Sequence, residues 1–230
     1  MTEKDKTRER IIEAASKRFL HYGYGKTTMA EIARDCDMSP GNLYRYFEGK
    51  LDLAEEIARR ASAETIQELA RAVRAPGKTA TQALRDYLFG KLRMTYTSLE
   101  KDPKIVELAQ TVSADRPSFA NDMLARERAI LMEILANGRE LGEFAVRDVN
   151  FTAEMVQSAT MKFSYPQLWS RLTLDNLERE LGGVFDLVIG GLCPDRTLFA
   201  HGRDPGRDPG CDPGRDTGRD TGRKDAAGTA

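Results

Sequence analysis

Between Ser39 and Tyr46 the chain gathers a hydroxyl, an amide, a guanidinium and two phenols around Gly41, which has no side chain. Groups of this kind exchange hydrogen bonds with base edges and phosphate oxygens, and no activated nucleophile stands among them. The chemistry they suit is nucleic-acid recognition. Ser39 is placed to cap a short helix with Pro40 at its first position, where a missing N–H costs nothing, and Gly41 leaves the backbone bare beside it. Such a helix start can approach DNA closely. On this reading Ser39, Pro40, Gly41 and Asn42 enter the major groove, Tyr44 and Lys50 hold phosphates, and Thr27 or Thr28 grips the opposite edge. Arg45 either reads a guanine or faces solvent, and Tyr46 offers an amphipathic tip beside it.

Two further elements must hold that segment. Thr28 caps a preceding helix whose apolar residues Met29, Ile32 and Ala33 recur at helical spacing, and a turn falls at Cys36-Asp37-Met38. Leu43 and Phe47, four apart, pin the second helix to a small core. A bracing helix is predicted from about Lys6 to His21, with Ile11, Ile12, Ala15, Phe19 and Leu20 as its apolar stripe and Gly23 closing it. Cys36 reads as a small buried hydrophobe.

Together these residues resemble the amino-terminal domain of the TetR (tetracycline repressor) family of bacterial transcriptional regulators. The likeness rests on Ile11-Ile12, Ala14-Ala15, Phe19, Gly23-Tyr24, Thr27-Thr28, the Leu43-Tyr44-x-Tyr46-Phe47 ending and Lys50. It covers roughly the first quarter of the chain and departs at Asp37, where the family usually carries Gly, so a slightly strained turn is expected. The resemblance implies a phosphate contact for Tyr44, an inducer held in a carboxy-terminal body, and a homodimer matched to a palindromic operator.

Composition agrees with a globular protein: 230 residues, 31% charged and 40% hydrophobic. The net charge of -1 does not announce a DNA-binding protein, and the first fifty residues hold ten Lys/Arg against eight Asp/Glu. Affinity for DNA must therefore come from local placement. A charged amino terminus without an apolar core, and the absence of any membrane-length apolar run, argue against secretion and membrane insertion. The three cysteines, Cys36, Cys193 and Cys211, show no metal or redox spacing and fit a reducing cytoplasm.

The expected fold is all-α: a three-helix, helix-turn-helix DNA-binding domain over 1–50, a connecting helix over 51–76, a helical ligand-binding and dimerisation bundle over 77–195, and a disordered RDPG/RDTG tail over 196–230. After the helix from Leu51 to about Arg74, body helices are predicted at Thr79–Leu99, Pro103–Ser113, Pro117–Leu141, Thr152–Phe163, Pro166–Arg171 and Leu174–Ile189. Met94, Met123, Met161, Phe163, Tyr165 and Trp169 are the candidate lining of an apolar small-molecule pocket, with ordinary core packing the alternative for each. Arg93, Lys162 and Arg171 are candidate partners of an anionic ligand. Leu174, Leu177, Leu181, Val184, Phe185 and Val188 form a stripe that seeks a partner helix, either in a second subunit, together with the Thr152–Phe163 helix, or within the same chain.

Two histidines, His21 and His201, and scattered carboxylates such as Glu107, Glu127 and Glu133 match no catalytic or metal motif, and no cofactor is expected. The leading expectation is a DNA-binding regulator released from a palindromic operator by a small-molecule inducer. Its rivals are a ligand-independent, architectural DNA-binding dimer and a helical enzyme.

Overall fold

The computed structural model describes residues 2–101, 103–164 and 173–193, and every regular element among them is a helix. The order is α1 (Glu3–Tyr22), α2 (Met29–Asp35), α3 (Pro40–Leu43), α4 (Lys50–Val73), α5 (Ala80–Lys101), α6 (Pro103–Asp115), α7 (Pro117–Glu140), α8 (Val149–Ala159), α9 (Met161–Ser164) and α10 (Leu174–Leu192). The expected Pro166–Arg171 segment, the pocket candidates Tyr165 and Trp169, Arg171 and the RDPG/RDTG tail lie outside the described residues.

Local chemistry sets the helix starts. Thr2 and Asp5 form a reciprocal capping box, so α1 begins three residues before the predicted Lys6. Thr28 and Glu31 repeat the device on α2: the Glu31 amide donates to the Thr28 hydroxyl at 3.3 Å and the Thr28 amide to Glu31 at 2.9 Å. Those bonds from Thr28 hold the Glu31 carboxyl below its ordinary range. Ser39 caps α3 by accepting from the Asn42 amide at 3.2 Å. Asp37, in the turn between α2 and α3, has φ of 51°, and is the one non-glycine residue with positive φ among those described. The strain expected of a missing glycine is present there.

Two apolar cores result. The head core joins Ile11, Ile12, Ala15 and Phe19 of α1 to Met29, Ile32, Leu43 and Phe47, and closes over Leu53, Ala54, Ile57 and Ala58 of α4. Cys36 is buried within it, and burial raises its thiol pKa, which disfavours the reactive thiolate. The body core gathers α5, α7, α8 and α10 around Leu84, Tyr87, Leu92, Leu131, Leu135, Leu181 and Phe185. At one end of the body, the Glu143 carboxylate is buried and accepts from the amides of Ala80 at 2.9 Å and Thr81 at 3.2 Å. It caps α5 from the loop before α8, where negative charge suits a helix start.

The helix α4 belongs to both cores. Its first half is buried in the head and its last turns, through Leu69, Ala70 and Val73, in the body. A second connection was not foreseen from sequence. Leu108 and Val112 of α6 and Phe119 of α7 complete the head core, with Met123 packed against it. Ion pairs reinforce this contact: Arg116 to Asp52 at 2.6 Å and Arg59 to Asp122 at 3.0 Å.

These cores correct two expectations. Met123 packs against the head core, where the α6–α7 corner brings it, and is not part of the body core. Leu177, Leu181 and Phe185, expected at a subunit interface, are each 0% exposed inside a single chain. An apolar helix face buries itself against the nearest apolar surface, and α5 supplies one, as the contact of Phe89 with Phe185 shows.

Candidate nucleic-acid interface

The turn after α2 directs α3 outward, leaving Ser39, Pro40 and Gly41 exposed and Asn42 half-buried. A Cβ built on Gly41 meets nothing within 4 Å, so the open space beside this glycine is not filled by the protein itself. Leu43 is 0% exposed and anchors the segment. Tyr44, 51% exposed, and Arg45 stand on the open side, whereas Tyr46 lies half-buried against the head core and spends much of its ring on packing. The α3 segment is short, and its last turns tighten after Leu43, with the amides of Tyr46 and Phe47 both donating to the Leu43 carbonyl.

Thr28 is exposed at the start of α2, where its hydroxyl caps the helix. Thr27 is not available in the way expected: it is 1% exposed, and its hydroxyl donates to the Gly23 carbonyl at 3.0 Å. With the Thr27 hydroxyl turned back onto the loop, only Thr28 of the pair is left on the exposed side. Lys50 requires a similar correction. Its ammonium donates to the carbonyls of Tyr24 at 2.8 Å and Thr27 at 2.9 Å and lies 4.2 Å from the centre of the Tyr24 ring. Those carbonyls follow α1 and lack helical partners, so the cation satisfies the loop and holds it against α4.

A Lys50→Ala variant is therefore expected to lower head stability by about 1.5–3 kcal/mol, the value of hydrogen bonds to a charged group. The salt dependence of DNA binding should stay unchanged, whereas loss of a phosphate contact would reduce its slope by about one counterion. Thermal melting together with a salt titration of binding separates the two roles.

Arg18 shapes the same surface from behind. It pairs with Asp35 at 2.5 Å and lies 3.5 Å from Glu31, tying α1 to α2. The hydrogen bond from Arg18 keeps the Asp35 carboxyl below its ordinary range. Both acids are thus partly neutralised beside the proposed DNA surface.

This geometry is a helix-turn-helix head carried on a helical body, and two family models match it in that order. Residues 11–57 match "Bacterial regulatory proteins, tetR family", and residues 80–185 match "Tetracyclin repressor-like, C-terminal domain". The chain belongs to the TetR family. Among curated relatives, the uncharacterized HTH-type transcriptional regulator YhgD of Bacillus subtilis is 40% identical over 47 residues, 20% of this chain and 25% of YhgD. The chain thus spans about a quarter of that relative's length. SmeT, the repressor of the Stenotrophomonas maltophilia multidrug efflux pump SmeDEF, superimposes with a TM-score of 0.59 over 82% of this chain and 91% of SmeT, at 18% identity. GusR of Salmonella enterica gives 0.60 over 84% and 98%, at 21% identity. At these identities the shared property is the fold.

Elsewhere in this TetR-family protein the body candidates divide. Phe163 is buried and borders a cavity of about 10 Å³ together with Leu88, Lys91, Leu92, Thr160, Ser164 and Leu181. Met94 packs beside the body core, and Met161 is half-buried on α9. Arg93 and Lys162 are engaged with Glu178 and Glu180 of α10, both at 2.5 Å, and brace that helix. On α10 itself, Leu174, Val184 and Val188 are half-buried at the margin of the core, while Leu187 is 79% exposed beside them. On α8, Phe151 and Met155 are 59% and 43% exposed. These three exposed apolar residues are absent from the sequence-based set. The available signal was their helical spacing: Leu187 falls three after Val184, and Met155 four after Phe151.

Proposed function

We propose that this TetR-family protein is a dimeric operator-binding repressor, acting in the cytoplasm without catalysis of its own, and that a small molecule bound in its body releases it from DNA. The observation that carries this reading is the double anchorage of the head. It shares α4 with the body and receives Leu108, Val112 and Phe119 from the α6–α7 corner. Any change in the body that moves α7 must then move the head. Two heads must present one half-site each, about 34–36 Å or a multiple apart, so a small pivot suffices to lose one. The fold neighbour SmeT has a solved complex with triclosan, which supports ligand control in this architecture. No helix among the described residues is long and apolar enough to cross a membrane.

We assign DNA contact to Thr28, Ser39, Pro40, Gly41, Asn42, Tyr44 and Arg45, within a reading of the chain as head 1–50, connecting helix 51–76 and body 77–195. The test is selection of bound fragments from the source genome by the full chain, followed by release with candidate inducers. Recovery of one palindromic sequence supports the reading, and recovery of random DNA refutes it. A cavity of about 10 Å³ has room for a single water, and this favours the second reading, a ligand-independent dimer, unless the body opens.

For the dimer, we place the interface on the outer faces of α8 and α10, through Phe151, Met155, Val184, Leu187 and Val188. Leu187→Glu is expected to weaken dimerisation by roughly 10- to 100-fold, because it puts a charge where an apolar anchor should be buried. Its thermal stability as a monomer should be unaffected, since Leu187 is 79% exposed within one chain. Sedimentation equilibrium reads the outcome, and an unchanged dimer constant would move the interface elsewhere.

A further inference from the structure

Across the body core, α5 and α7 are joined by an ion pair that hydrophobic packing does not require. Lys91 and Glu127 meet at 2.6 Å, with side chains 14% and 16% exposed, the most enclosed pair among the described residues. Withdrawing two charges from water costs as much as or more than their attraction returns, and apolar replacements of similar size are often at least as stable. The surroundings make the choice conspicuous. Leu88, Leu92, Phe163 and Leu181 wall a cavity whose polar lining is Lys91, Thr160 and Ser164. Lys91 borders that space and Glu127 does not, so the group presented to an occupant is a cation.

Glu127 is held from its far side. Gln157 of α8 donates to the Leu124 carbonyl at 3.0 Å and reaches Glu127 at 3.4 Å, and buried Tyr87 donates to the Glu127 carbonyl at 3.3 Å. This cluster lies one and two helical turns from Met123 and Phe119, the residues by which α7 touches the head core. An occupant that disturbed the pair would act on α7 next to its contact with the head.

We propose that Lys91 is the polar anchor of the effector site, and that the effector class is an apolar molecule bearing a carboxylate or similar anionic head, which takes the Lys91 ammonium from Glu127. The inference rests on the ligand-controlled reading above. The apolar part enters between Leu88, Leu92, Phe163 and Leu181 and widens the cavity. Lys91 exchanges one carboxylate for another, so its charge stays compensated. Glu127 turns toward water, and α7 loses its ion pair with α5 beside the head contact. A cationic molecule would meet Lys91 head-on and be rejected.

Calorimetric titration of the full chain, without DNA, tests this with two matched trios: octanoate, octanol and octylamine, and phenylbutyrate, phenylbutanol and phenylbutylamine. The carboxylate of at least one trio should bind roughly 10- to 100-fold more tightly than its neutral and cationic partners, as a hydrogen-bonded charge pair implies. Lys91→Met should abolish that preference. Because this change leaves the enclosed Glu127 without its cation, the double variant Lys91→Met/Glu127→Gln controls for folding and should be equally indifferent to head-group charge. Glu127→Gln alone should bind the carboxylate more tightly, its competitor having been weakened. Binding of neither carboxylate, preference for an alcohol or amine, or full carboxylate affinity in the double variant would overturn the proposal. Fragment selection without carboxylate binding would leave the regulator reading intact, and carboxylate binding without fragment selection would do the reverse.

Discussion

Gly41→Leu should reduce operator affinity by at least about 1000-fold, to the level of unrelated DNA, while the protein melts no lower than before. The two halves of that result have one cause. A Cβ at Gly41 meets nothing within 4 Å in the free protein, so the leucine displaces no neighbour. Replacing glycine inside a helical turn also lowers the entropy of the unfolded chain, a gain of up to about 1 kcal/mol. On the proposed placement of α3 in the major groove, the empty space is the route by which its backbone approaches the bases, and a branched side chain would hold the whole head away. Mobility shift of the selected operator beside a thermal melt gives both numbers. Retained affinity in the leucine variant would show that this end of α3 faces solvent in the complex.

The largest stability effect is expected in the body. A Cβ on Gly138 would lie 2.1 Å, 2.6 Å and 2.8 Å from three ring atoms of Phe144. The ring is 3% exposed, and its own amide donates to the Gly138 carbonyl at 3.0 Å, so backbone and ring are pinned to the same turn of α7. Neither side can retreat without opening the body core. Gly138→Ala should cost about 3 kcal/mol, the upper part of the range for overpacked cores, and lower the melting temperature by roughly 6–12 °C. Because Glu143, the neighbour of Phe144, caps α5, some of this loss will appear as fraying at Ala80 and Thr81 in hydrogen exchange. Adding Phe144→Leu to the alanine variant should recover part of the loss by removing ring atoms from the clash. A single variant with wild-type melting would place the Phe144 ring away from α7.

The local grammar of the head was readable from residue order. Thr28 before Met29, Ser39 with Pro40, and Asp37 in the turn each act locally, and the two helix starts and the positive φ appear where those residues predict them. Leu43 and Phe47, four apart, occupy the core for the same reason. The all-helical character of the body followed from periodicity, because a 3.6-residue repeat needs no knowledge of the partner surface.

What periodicity cannot say is which surface a helix face meets. The apolar arc of α10 is wide enough for two surfaces, and only packing against α5 assigned Leu177, Leu181 and Phe185 to the inside and left Leu187 outside. Lys50 looked like any basic residue at a helix start until Tyr24 and Thr27, more than twenty positions away, turned their carbonyls toward it. Met123 looked like pocket lining until the α6–α7 corner folded against the head. Lys91 and Glu127 are 36 positions apart and share no motif. Residue order settled what depends on neighbours in the chain: helix type, caps, the strained turn and the family. Inward and outward faces, the second tie between body and head, and the cation beside the cavity depend on side chains far apart in sequence, and only the packed structure brings those together.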